Sequence, residues 1–252
     1  MTLLWIVLAT IAGGLLSVCA AAFALVLRAA WVPMLVSFAI GTLLGAAFLE
    51  VIPHAFEQGE AHLTAGAILG GILGFFLLEK LLLWRHSHEH GEGAEPLHHR
   101  EHSRAGTLIV VGDTVHNFVD GVLIAAAFLQ GPELGLITAV AIVAHEIPQE
   151  VGDFLVLLNS GYTRGRAFAL NMLSSMGSVV GGVLGYFTLS GFEDWEPILL
   201  GVVAASMIYV AVADLIPGLH KRPELRATAQ QALLIAAGVA VIALVRALSG
   251  TH

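Results

Sequence analysis

The sequence predicts an all-α membrane protein of eight transmembrane helices. Three observations carry that prediction. The 252 residues are 57% hydrophobic and only 12% charged, where soluble domains carry about 25% charged residues. Apolar stretches long enough to span a bilayer recur along the chain. Lys and Arg gather at one set of connections between those stretches.

A spanning helix needs about 20 apolar residues, and the stretches at 3–27, 32–56, 63–84, 105–129, 133–159, 165–190, 195–219 and 228–248 provide them. Turn-forming or charged residues separate them, as at Gln58-Gly59-Glu60, Gln130-Gly131-Pro132 and Lys221-Arg222-Pro223. The first stretch has no basic residue before its apolar run, which continues past Phe23. It reads as a retained helix rather than a cleaved signal peptide. The single cysteine, Cys19, permits no disulfide framework. Residues 1–252 thus form one polytopic membrane domain.

Ten of the eleven Lys and Arg residues fall near one face, and Arg246 falls near the other. The opposite connections carry Glu57, Glu60, Glu133, Glu193, Asp194 and Glu196. The positive-inside rule then places both termini outside the cytoplasm, in a multi-pass protein of the cell (inner) membrane. The acidic outer rim raises the local cation concentration. A net charge of −8 without a basic patch excludes a nucleic-acid partner and leaves the lipid bilayer as the surrounding phase. The one long hydrophilic stretch, 85–104, falls on the cytoplasmic side. It holds His86, His88, His90, His98, His99 and His102. It reads as a solvated linker and as a weak, exchanging metal-binding loop, since imidazole suits Zn, Cu and Ni.

The fourth and fifth spans carry most of the chemistry. The fourth contains Asp113, His116, Asn117 and Asp120, and the fifth His145, Glu146, Gln149, Glu150 and Asp153. A charge at mid-bilayer costs at least about 2.5–3.5 kcal/mol, so such clusters mark function. His116 and Asp120 are four residues apart on one helical face, as are His145 and Gln149, with Glu146 and Glu150 beside them. The connection at Gly131 makes the two spans antiparallel neighbours, and His116 and His145 lie almost equally far from it. Two imidazoles and several carboxylates therefore meet at one depth, as a divalent-metal site. Asp113 and Asp153 lie a turn or two away, either as groups that orient the ligands from behind or as pathway groups. Pro148 removes a backbone hydrogen bond from Ala144 and is expected to open the fifth helix there.

A short repeat flanks this pair. The second span ends Glu50-Val51-Ile52-Pro53-His54, and the seventh ends Asp214-Leu215-Ile216-Pro217, followed by His220. These spans run in opposite directions, so the matching motifs sit at opposite faces. That predicts an inverted repeat of helices 1–3 and 6–8 around a central 4–5 hairpin. Glu50 and His54 are assigned to an outer gate, and Asp214 and His220 to an inner one.

His116-Asn117-Phe118-x-Asp120-Gly121, followed by His145-Glu146-x-Pro148-x-Glu150-x-Gly152-Asp153, resembles the ZIP (Zrt-, Irt-like protein) divalent metal transporters. With its His-Glu-x-Pro-x-Glu fifth helix, it looks like the prokaryotic type. The resemblance covers the whole chain. It implies no enzymatic activity and uptake of Zn²⁺ into the cytoplasm, with Fe²⁺, Mn²⁺ or Cd²⁺ tolerated. It implies a transport site of His116, Asp120, His145 and Gln149, and an adjacent second site of Asn117 and Glu146 sharing Asp120. It also implies a homodimer, with helices 1, 4, 5 and 6 moving against helices 2, 3, 7 and 8. Gln149 stands where His is usual, and Ser174, Ser175 and Ser178 stand where some members place a carboxylate. Glu150 is expected to compensate in part.

Two other classes compete. His145-Glu146-Ile147-Pro148-Gln149 is one residue short of the His-Glu-x-x-His of a zinc hydrolase. A metal exporter would also use His/Asp pairs, although many carry a soluble cytoplasmic domain.

Overall fold

The computed structural model describes residues 1–27, 32–87, 98–191, 195–220 and 224–249, and the side chains of all these except 24–27, 82–87, 98–108 and 249. Among the described residues eight helices are long and apolar enough to cross a membrane. They are α1 (Thr2–Leu27), α2 (Val32–Gln58), α3 (Ala61–Ser87), α4 (His98–Gln130), α5 (Pro132–Asn159), α6 (Arg164–Leu189), α7 (Glu196–Leu219) and α8 (Leu225–Ser249). Eight alternating spans put both termini on one face, here called the terminal face. The α3–α4 connection lies on the other, the loop face.

The largest departure from the expected boundaries is at α4, which begins at His98 rather than near 105. Residues 98–104 are hydrophilic, so hydropathy marks where the apolar core starts and not where the helix does. The stretch expected as a loop is correspondingly shorter. The backbone at His86 belongs to α3, and that at His98, His99 and His102 belongs to α4. His88 and His90 lie outside the described residues, as do Glu193 and Asp194.

The helices associate in two groups. α4 packs on α6, and α1 lies against both α5 and α6, while α2 pairs with α8 and α3 with α7. The α2–α5 contact joins the groups. In lipid there is no hydrophobic gain from pressing helices together, so close backbone approach between small residues does the work. Gly121 and Gly181 provide it for α4 and α6. A Cβ on Gly121 would fall 2.7 Å from the Gly182 nitrogen, and one on Gly181 would run into the Phe118 backbone. Turned away from this packing, α3 and α8 expose large apolar side chains such as Leu69, Leu73, Leu233 and Leu244, as lipid-facing helices do.

Proline acts differently from expectation. α5 runs unbroken through Pro148. Irregularity appears instead in α2 and α7, where π-helical turns at Ala47–Val51 and Val210–Leu215 immediately precede Ile52-Pro53 and Ile216-Pro217. Proline offers no N–H to the carbonyl four residues back and collides with it. The widened turn absorbs the clash, with Ile52 N–H on Ala47 O and Ile216 N–H on Ala211 O. Glu50 and Asp214 sit in these turns.

Candidate metal centre

α4 and α5 run antiparallel from the Gly131 connection, whose glycine takes φ 158°. Their i, i+4 positions bring three ligand atoms together. His116 Nε2 and His145 Nε2 are 3.3 Å apart, and Asp120 Oδ2 lies 3.4 Å from the first and 3.3 Å from the second. That triangle has a specific meaning. Zinc bonds of about 2.05 Å at tetrahedral angles place neighbouring ligand atoms about 3.3 Å apart. The three atoms thus form one face of a zinc-sized tetrahedron, with the fourth vertex left for another ligand.

The surroundings fix this face. His145 and Asp120 are each 2% exposed, and His116 is 26% exposed. His145 Nδ1 faces the Ala141 carbonyl at 3.4 Å. An N–H directed there leaves the Nε2 lone pair for a metal, the usual second contact of a ligating imidazole. The two rings meet edge to face, 5.6 Å between centroids.

Among the described residues the other expected ligands do not join the triangle. Gln149 Nε2 donates to Asp113 Oδ1 at 3.4 Å. Asn117 Nδ2 donates to the same Oδ1 and to the Asp113 carbonyl, both at 3.0 Å, while Asn117 Oδ1 is buried without a hydrogen-bond partner. Glu146 accepts from Ser17 of α1 at 2.9 Å. Glu150 is buried, and its backbone carbonyl accepts from Asn171 at 3.1 Å. Asp113 is therefore held by donors from three helices, the third being Ser174 Oγ of α6 at 2.5 Å, and Asp153 lies against it. Removing the buried Ser174 hydroxyl leaves a carboxylate oxygen short of a donor, at a cost of about 1–3 kcal/mol. Thermal unfolding in detergent should register that loss for Ser174→Ala and little change for Ser174→Thr.

A cavity of about 600 Å³ adjoins the site, with His116, Asp120, Gln149 and Asp113 on its wall and Asp153, Glu79, Tyr209 and Asp214 further along. These come from the loop-face halves of α3, α4, α5 and α7, so the cavity leads from the triangle towards the loop face. Towards the terminal face, a packed apolar layer including Val51, Leu123, Ala127, Ile137 and Leu200 fills the space. Glu79 was missed from sequence because it sits beside Lys80 near the end of an apolar run and reads as an interfacial charge. Its oxygen accepts from the Tyr209 hydroxyl. Of the expected gate residues, Asp214 lines the cavity and Glu50 pairs with Arg246 at 3.2 Å. His54 contacts Gln58 at 2.9 Å, and His220 is exposed at the end of α7, away from the cavity wall.

Comparison with known proteins adds independent information. A family model described as ZIP Zinc transporter matches residues 1–106 and 84–246. Zinc transporter ZIP13 of Pongo abelii is 32% identical over 231 residues, covering 85% of this chain and 67% of that protein. Zinc transporter YKE4 of Saccharomyces cerevisiae is 30% identical over 241 residues, covering 84% and 70%. Zinc transporter SLC39A7 of Mus musculus is 27% identical, covering 84% and 62%. These relatives are eukaryotic and lend nothing to the prokaryotic placement.

Proposed function

We propose, from the premise that this chain belongs to the ZIP zinc transporter family, that Zn²⁺ crosses the membrane through the His116–Asp120–His145 face and leaves by the cavity. The family is one of transporters and not of enzymes, which removes the hydrolase reading. The single observation behind the proposed site is the triangle of ligand atoms at 3.3, 3.3 and 3.4 Å. Two imidazoles and one carboxylate with an open vertex bind zinc less tightly than a closed four-thiolate site does, and a transported ion has to leave. Water or Gln149, once it lets go of Asp113, completes the tetrahedron. Asn117, with its unpartnered Oδ1, and Glu146 and Glu150 offer a neighbouring station for the ion.

The direction proposed is from the terminal face to the loop face and into the cytoplasm. The Lys and Arg distribution supports it by the positive-inside rule, with both termini extracytoplasmic in a cell membrane. Asp113, Asp153 and Asp214 then form the way out, Glu50 and His54 guard the way in, and His220 stands at the inner end. The histidines of 85–104, from His86 to His102, receive the released ion weakly. The π turns in front of Pro53 and Pro217 support an inverted repeat of α1–α3 and α6–α8 around the α4–α5 hairpin. The two packing groups, α1/α4/α5/α6 and α2/α3/α7/α8, are the bodies that would move, in a homodimer.

The test is ⁶⁵Zn flux into proteoliposomes of defined orientation, comparing wild type with Asp120→Asn. Zinc should enter from the terminal face, and the variant should lose about tenfold or more, since it exchanges a charged ligand for a neutral amide. Equal flux in the two proteins overturns the site, and flux only from the loop face overturns the direction. Histidines ligate only when neutral, so acid should compete with zinc.

A further inference from the structure

Arg246 is the one basic residue of the eleven that falls near the terminal face. A basic side chain close to a helix end ordinarily reaches out to the membrane surface. Arg246 is three residues from the end of α8, whose C-terminus is at the terminal face. Its Cβ is tilted back towards the helix N-terminus, and so inwards. Two oxygens lie in that direction. Arg246 Nε is 3.2 Å from Glu50 Oε2, and one terminal guanidinium nitrogen donates to the Leu49 carbonyl at 3.0 Å.

Both oxygens are products of the same sequence feature. Leu49 is four residues before Pro53, so its carbonyl is the one that proline deprives of a helical partner. The π turn that absorbs Pro53 contains Glu50. Glu50 is buried, eight residues before the end of α2, about 12 Å inward by helical rise. The carboxylates of Glu57 and Glu133 and the ring of His54 act on it from α2 and from the start of α5. Without Arg246 this junction of α2, α5 and α8 would collect three carboxylates and the carbonyl that Pro53 cannot serve, a set of oxygens that attracts cations. Val51, the residue after Glu50, belongs to the apolar layer that closes the terminal end.

We infer that Arg246 is a tethered counter-cation holding the terminal end shut. Its guanidinium ties α8 to the Glu50 carboxylate and the Leu49 carbonyl of α2, within the end closed by the apolar layer, and opening requires that these oxygens be given up. The inference deepens the proposed pathway and rests on its terminal-face opening. It also fits the course of the cavity towards the loop face, since α2, which carries the oxygen pair, packs on both α8 and α5.

The experiment reads the closure and not the transport. The full chain carries Cys19→Ser, so that the native cysteine is silent, and Ala127→Cys, a buried position in the apolar layer. Reconstituted in liposomes, it is reacted from the terminal face with a membrane-impermeant maleimide. Arg246→Ala is expected to speed labelling of Cys at 127 by about tenfold, because removing one charge pair of roughly 1.4 kcal/mol shifts a two-state closure by that factor. Arg246→Lys keeps the charge but loses the fork that bridges both oxygens, and should fall between. Arg246→Gln keeps a donor without the charge, and serves where the alanine variant does not fold. Labelling within twofold of wild type in every folded variant overturns the clamp. Absence of zinc flux in the wild type would instead strike the pathway reading, and leaves the labelling result standing by itself.

Discussion

His145→Ala is expected to lower zinc uptake at sub-saturating zinc by at least about a hundredfold, equivalent to roughly 2.7 kcal/mol, while His116→Ala costs nearer tenfold. The two imidazoles contribute the same atom to the same triangle, and what separates them is burial. His145 is 2% exposed, wedged between α4 and α5 with its Nδ1 on the Ala141 carbonyl. An alanine there leaves a hole walled off on the terminal side by the packed apolar layer. A replacement water would need two or more polar partners in that hole. It also leaves Asp120 buried with one fewer positive or polar neighbour. His116 is 26% exposed and lines the cavity, so water can take its vertex when the ring is removed. Competition uptake with Zn²⁺, Fe²⁺, Mn²⁺ and Cd²⁺ on both variants provides the measurement, with elution as a single folded species as the control. Equal losses for the two histidines would show that the triangle does not act as one ligand set with a buried and an open corner.

The meeting of His116, Asp120 and His145 was legible in the sequence because helical periodicity converts spacing into direction. His116/Asp120 and His145/Gln149 are i, i+4 pairs almost equally far from the Gly131 turn, and antiparallel neighbours at equal distance from their connection meet at equal depth. That reasoning reaches His116, Asp120 and His145 and gives out at Gln149. Periodicity gives the face of a helix but not the torsions of a long side chain, and the Gln149 amide turns one position along to Asp113. Partners contributed by other helices were invisible for a related reason. Ser17 on Glu146 and Ser174 on Asp113 are separated from their acceptors by 129 and 61 residues, and a serine in an apolar run reads as an ordinary helix contact. Proline was legible as a perturbation but not as a location. Pro148 was expected to break α5, yet the π turns formed before Pro53 and Pro217, because composition does not reveal whether the packing around a proline can absorb it. The Arg246 clamp needed both α2 and α8 in place. From sequence alone Arg246 was the odd charge on the acidic face.

Gly181→Leu should be the most damaging substitution away from the proposed zinc site. Gly177, Gly181 and Gly185 place a flat stripe of α6 against α4, and a Cβ at Gly177 would lie 2.6 Å from the Thr114 carbonyl. At Gly181 the obstruction is the Phe118 backbone, which has no rotamer to change, so the helices have to separate. Small residues at such crossings supply the dispersion contact that replaces the hydrophobic effect inside a bilayer. Overpacking where backbone cannot yield costs typically 1–3 kcal/mol and can exceed about 4. The consequence reaches the site, because α6 carries Ser174, which holds Asp113, and α4 carries His116 and Asp120 on the turns beside Phe118. Gly181→Leu is therefore expected to lower the unfolding temperature in detergent and to abolish zinc uptake in whatever fraction remains folded. Gly70→Leu is the matched control: a Cβ there meets nothing within 4 Å, α3 is exposed to lipid along that side, and an added apolar side chain should change stability by no more than about 0.5 kcal/mol. Were both glycines equally tolerant of leucine, α4 and α6 would not be in backbone contact, and the geometry that brings Ser174 to Asp113 would lose its support.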